Sequence, residues 1–137
     1  MRDETLVVRA GRPPASPGGA FLPGPVFAGP FHAAGDPAAS PFTYGRFHNP
    51  TWSAYEAALG ELEGGTALVF ASGMAATTAI LGSVLRPGDA VALAAECYYT
   101  TRVLARGYFA EMGVDVRLVP TVGGLDPAQV AGVRLVW

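Results

Sequence analysis

Residues 66–94 read TALVFASGMAATTAILGSVLRPGDAVALA, and the rhythm of that stretch sets the fold class. Ala67 to Ala71 is a short apolar run containing Val69 and Phe70, which predicts a buried strand. Ser72-Gly73 then opens a helix whose apolar residues Ala75, Ala76, Ile80, Leu81, Val84 and Leu85 cover most of its circumference. Arg86-Pro87-Gly88-Asp89 breaks it, and Ala90 to Ala94 follows as a second strand. Strands separated by a helix need a crossover, and crossovers join parallel neighbours.

Working outward, the same alternation continues. A helix is expected from about Thr100 to Met112, ending at Gly113, and then a third strand from Val114 to Val119. Asp126-Pro127 supplies an N-cap and a first-turn proline for a short helix, and Val133 to Trp137 reads as a fourth strand. Upstream, Ser53 and Glu56 form an S-x-x-E capping box, with Tyr55, Ala58, Leu59 and Leu62 at helical spacing, so a helix is expected to run to about Leu62 and stop at Gly64-Gly65. Residues 11–43 carry Pro13, Pro14, Pro17, Pro23, Pro25, Pro30, Pro37 and Pro41, a density that forbids regular helix or central strand. The expected organisation is an extended arm over residues 1–50 and an α/β domain over 51–137 that is cut through its middle, since its last strand has no helix after it. The arm's Phe21, Leu22, Val26, Phe27, Phe31 and Phe42 are too many for a free linker and are expected to lie against their own domain or a second subunit.

Composition excludes several classes. The 137 residues carry a formal net charge of -2, and their arginines are scattered, with no basic stripe for nucleic acid. The single cysteine, Cys97, forms no internal disulfide and, with only His32 and His48 beside it, offers no metal-ligand spacing. Met1-Arg2-Asp3-Glu4 lacks the apolar run of a signal peptide, and the longest apolar stretch is interrupted by Ser72, Gly73, Thr77 and Thr78; neither export nor a membrane span is expected, and a reducing cytoplasm fits. All nine basic residues are arginine. No ε-amine can come from these residues.

Three segments point to chemistry. At the carboxyl end of the first strand, the amides of Gly73 and Met74 would begin a helix and face an anion, most simply a phosphate. The Ser72 hydroxyl either joins them or only caps the helix. With no G-x-G-x-x-G and no Walker lysine, a small phosphorylated ligand is preferred to a dinucleotide. In Phe42-Thr43-Tyr44-Gly45-Arg46, an extended backbone would turn Tyr44 and Arg46 to one side, where both could meet an anion, or they could be surface packing and a solvated charge. In Cys97-Tyr98-Tyr99-Thr100-Thr101, an aromatic could stack on a planar ring or serve as wall and cap. Cys97 reads as a buried small residue, with no histidine placed as its base.

In this order the segments resemble the pyridoxal-phosphate enzymes of cysteine and methionine metabolism. Tyr44, Arg46, Asn49, Pro50 and Thr51 match the family's Tyr-x-Arg-x-x-Asn-Pro-Thr, and Ser72 to Ala76 match its Ser-Gly-Met-Ala-Ala. Leu62-Glu63, Gly88-Asp89, Val8-Arg9-Ala10-Gly11 and Leu22-Pro23-Gly24-Pro25-Val26-Phe27 are similar too, so the resemblance covers nearly the whole chain. It implies the N-terminal part of a fold-type I large domain, with pyridoxal 5'-phosphate as cofactor. Ser72, Gly73 and Met74 would hold the cofactor phosphate, and Tyr98 would stack on the ring as the catalytic candidate. Tyr44 and Arg46 would act in the neighbouring subunit of a homodimer or homotetramer.

The arm and the Tyr-Gly-Arg stretch look most like the bacterial cystathionine γ-lyases, which implies a small amino-acid substrate and C–S bond elimination on cystathionine. Cystathionine γ-synthase or O-acetylhomoserine sulfhydrylase chemistry is the alternative within the family, and a non-catalytic, flavodoxin-like phosphate-binding module is the alternative outside it. The family's Tyr-Gly-Gly-Thr is here Tyr98-Tyr99-Thr100-Thr101, which is expected to crowd the turn. Its Schiff-base lysine, and the aspartate that pairs with the pyridinium nitrogen, would lie beyond Trp137, so these residues alone are expected to be inactive.

Overall fold

The computed structural model describes residues 3–137; Met1 and Arg2, part of the charged N-terminus, lie outside the described residues. The elements are α1 (Asp3–Arg9), α2 (Pro50–Glu63), α3 (Gly73–Val84), β1 (Ala90–Ala94), α4 (Tyr99–Leu104), β2 (Asp115–Val119) and β3 (Leu135–Val136). Short 3-10 turns occur at Pro37–Ala39 and Pro127–Val130. The chain packs as two units, Met1–Val69 and Phe70–Trp137, a division that groups α2 with the arm rather than separating them after residue 50.

In the second unit, β1 is the central strand of a parallel sheet of order β2-β1-β3. Val91 and Leu93 alternate onto one face, and the small Ala92 on the other is buried as well, as a strand covered on both sides requires. Leu81 of α3 and Leu85, its C-cap, are one turn apart, as are Ala105 and Phe109 after α4; with Val91, Leu93 and Val114 they make one core. Burying each large apolar side chain contributes about 1.5–3 kcal/mol, so this cluster is what holds the unit together. Gly113, at φ +89, ends the helix that follows Tyr98, and the Val114 amide donates to the Phe109 carbonyl before β2 begins. That helix starts at Tyr99, one residue before the expected Thr100, and its middle, Ala105–Phe109, is a π turn. Such a turn inserts a residue into the helical ladder.

The structure corrects three further expectations. Residues 67–71 form no strand: Leu68 and Phe70 are exposed, and the Val69 amide donates to the Glu56 carboxylate at 2.9 Å. The composition suits a strand, but a ladder needs a neighbouring backbone, and none lies beside these residues among those described. The last strand contracts to Leu135–Val136, although the bonds Arg134 N–H to Ala90 O and Trp137 N–H to Ala92 O continue the pairing on either side.

The third correction concerns the start of α2, where Ser53 and Glu56 form no capping box. Asn49 is the N-cap, its side-chain oxygen accepting from the Thr51 amide at 2.8 Å, with Pro50 in the first turn. An Asn cap followed by a proline already fixed near helical φ starts the helix one turn earlier, and Glu56 is left free to bond Val69. The expected stop holds: Gly64, at φ +67, caps α2 in the left-handed region.

In the first unit the arm is not extended throughout. α1 precedes it, and the chain folds back where Pro30 pairs antiparallel with Tyr44 and the Phe31 amide donates to the Thr43 carbonyl at 2.9 Å. Asn49 ties this reversal to α2: its amide nitrogen donates to the carbonyls of Val26 (3.0 Å) and Ala28 (3.4 Å), while the Thr51 hydroxyl accepts from the Val26 amide. The arm's large side chains find little cover, and Phe27 is 93% exposed.

Candidate functional site

The second unit brings Ser72, Gly73 and Met74 to one cavity with Tyr98. The cavity, about 460 Å³, is lined by Ser72, Gly73, Met74, Thr77, Tyr98, Thr101 and Trp137. α3 begins here because Ser72 caps it, its Oγ accepting from the Ala75 amide at 3.1 Å. The hydroxyl therefore caps the helix through an oxygen lone pair, and its proton stays available to a ligand. The Thr77 and Thr78 hydroxyls donate back to the Gly73 and Met74 carbonyls at 2.9 and 2.8 Å, tightening the first turn. The amides of Gly73 and Met74 have no acceptor among the described residues. A Cβ at Gly73 would meet nothing within 4 Å, so no other group crowds this residue.

Two unpaired amides at the positive end of a helix dipole are the kind of donors that can meet a phosphate. Tyr98 precedes α4, makes no side-chain capping bond and is 68% exposed on the same cavity. A ring held at these amides can therefore lie against it. Among the described residues no cationic side chain lines this cavity, and a phosphate dianion would be met by the helix dipole and the amides. These residues fit the phosphate and the planar ring of pyridoxal phosphate.

The Tyr99 side chain does not crowd this cavity. It lines a separate depression with Arg102, Val103, Arg106 and Leu118, and the Arg102 guanidinium stands 5.9 Å from its ring. At the start of α4, successive side chains diverge around the helix, so Tyr98 and Tyr99 face different ways. Nearby, Glu96 accepts from the Thr121 amide at 3.3 Å and hydroxyl at 3.1 Å. The bond from its own backbone amide, the largest influence, holds its carboxyl below the usual glutamate value; desolvation opposes this, and the Thr121 bonds and the Arg102 charge add to the lowering. Cys97 packs on the core as a small apolar residue.

In the first unit, Tyr44 and Arg46 do converge, though by a different geometry. The segment is a turn rather than extended chain, with the Phe47 amide donating to the Tyr44 carbonyl at 2.9 Å. Gly45 bonds Gly29 across the reversal, and the turn folds the Arg46 guanidinium over the Tyr44 ring at 5.2 Å. Both line a depression of about 410 Å³ with Val26, Phe27, Asn49 and Trp52.

Thr77, Thr101 and Trp137 are lining residues that sequence reasoning missed. Trp137 was legible as the residue ending a strand at the ligand-binding edge of the sheet. Thr101 was legible only as the last letter of the Tyr-Gly-Gly-Thr pattern.

Comparison with known proteins bears on family and fold. The sequence profile of the Cys/Met metabolism PLP-dependent enzyme family matches residues 5–133. A protein of Streptomyces coelicolor assigned as a cystathionine γ-lyase is 44% identical, over 98% of this chain and 35% of its own length. A cystathionine γ-synthase of Mycobacterium bovis is 40% identical over 70% of this chain and 26% of its own. The crystal structure of a cystathionine γ-lyase from Micromonospora echinospora superposes with a TM-score of 0.80 at 34% identity, covering all of this chain and 36% of that one. The chain thus spans about a third of the length of its γ-lyase relatives.

Proposed function

Because the chain belongs to the Cys/Met metabolism PLP-dependent enzyme family, we propose that it is the N-terminal portion of a cystathionine γ-lyase-like enzyme. The reaction is C–S elimination, in which cystathionine and water become cysteine, 2-oxobutyrate and ammonia. One observation carries the reading: the free Gly73 and Met74 amides open onto a cavity that Tyr98 also lines. These amides bind the cofactor phosphate, Ser72 keeps them aligned by capping α3, and Tyr98 lies against the pyridine ring as the catalytic aromatic. When bound, the cofactor supplies an electron sink for the carbanion chemistry at the substrate.

A cradle with no cation of its own leaves a role for Tyr44 and Arg46. In this reading they reach the phosphate held by a neighbouring subunit, Arg46 as a bidentate donor, within a homodimer or homotetramer. The first 50 residues then work as an arm between subunits. Cytoplasmic location fits this chemistry, and among the described residues no helix is long and apolar enough to cross a membrane. The γ-synthase reading stays open on one observation, the 40% identity to the mycobacterial γ-synthase.

The test exploits the missing lysine. Pyridoxal 5'-phosphate added to the purified 137-residue chain should bind reversibly and be displaced by inorganic phosphate. Borohydride should fix it to no side chain, leaving at most the terminal amine labelled. A Tyr98→Ala variant should bind more weakly with unchanged phosphate affinity. A chain that ignores both ligands, or one labelled at an internal residue, would overturn the assignment. Incubated with cystathionine and the cofactor, the chain should release no more 2-oxobutyrate than free cofactor does.

A further inference from the structure

We propose that Thr101 is the positioning residue that joins the two halves of the cofactor cradle. The inference rests on the cofactor reading above and adds a role to a residue that lies outside the phosphate and ring contacts. Thr101 is 3% exposed, in the first turn of α4, and it touches both halves. Its amide donates to the Tyr98 carbonyl at 3.0 Å, and its hydroxyl meets Met74 Sδ at 3.7 Å. Met74 is the second residue of α3, and its amide is one of the two free donors of the cradle.

The amide that meets the phosphate and the thioether held by Thr101 therefore belong to one residue. A thioether is a soft acceptor on a side chain with three rotatable bonds, so without a partner it would sample several rotamers. The Thr101 hydroxyl selects one of them, fixing the start of α3 against the start of α4. That sets the distance between the phosphate donors and the Tyr98 ring. Valine at 101 would keep the shape and the buried methyl but lose the donor; serine would keep the donor.

The experiment compares Thr101→Val, Thr101→Ser and the unaltered 137-residue chain by NMR, using methyl-labelled methionine and amide-labelled protein. Without ligand, T101V should displace and broaden the Met74 methyl signal and shift the Gly73 and Met74 amides, while T101S stays near the original positions. Pyridoxal 5'-phosphate should bind T101V roughly two- to fivefold more weakly, the effect of one modest hydrogen bond, and T101S should recover most of that loss. Identical Met74 signals in all three chains, or equal losses in valine and serine, would overturn the proposal. If the Gly73 and Met74 amides ignore both inorganic phosphate and the cofactor while the T101V displacement persists, the cofactor reading falls and the Thr101 link stands.

Discussion

Ser72, Glu96 and Tyr98 lie within the span of one strand and two helix starts, and each does something different. The Ser72 side chain has a single bond to its helix, so Ser72→Ala should cost about 1 kcal/mol of unfolding free energy and Ser72→Gly less, read by denaturant titration. Glu96 holds the loop after β2 through Thr121, and its carboxyl sits below the ordinary value. A carboxyl whose pKa is lower folded than unfolded adds stability above its unfolded value and loses it as pH falls through the folded one. Melting temperatures of the native chain and Glu96→Gln should therefore differ at neutral pH and converge as pH drops below the usual glutamate range. Tyr98 was legible as an aromatic at a strand's end. Its orientation apart from Tyr99 was not, because that depends on where α4 begins.

At the level of elements, the helix punctuation was readable and the strand ends were not. Gly64 and Gly113 stop their helices at positive φ as glycines do, which is a local property of the backbone. The beginning of α2 was misplaced because two caps compete in sequence and the structure uses the earlier one, Asn49. That residue also holds the arm through the Val26 and Ala28 carbonyls. Asn49→Ala removes a cap and two tethers together, so it should destabilise the first unit by roughly 1–3 kcal/mol. Hydrogen exchange should locate the loss at Val26 and Thr51, leaving β1 unaffected. Residues 67–71 have the composition of a strand and lack the neighbour that would make them one.

For the molecule as a whole, cover is the deciding quantity. The buried apolar residues belong to the second unit, whereas Phe21, Phe27 and Phe47 in the first are exposed. Apolar side chains in that number make a chain self-associate. Sedimentation velocity should show concentration-dependent association, and a sharp monomer peak across a wide concentration range would contradict the arm's proposed role between subunits. What the sequence by itself determined was the parallel α/β class, the helix that starts at Ser72-Gly73 and the absence of a lysine; these follow from local periodicity, capping chemistry and residue type. Only the tertiary structure decided that the Ser72 hydroxyl accepts from the Ala75 amide, that Tyr99 turns away, that Tyr44 and Arg46 meet through a turn, and that Thr101 bonds both Tyr98 and Met74. The Thr101 bond joins residues 27 apart in the chain, and such contacts leave no local pattern along the sequence; the others depend on where a turn or helix begins.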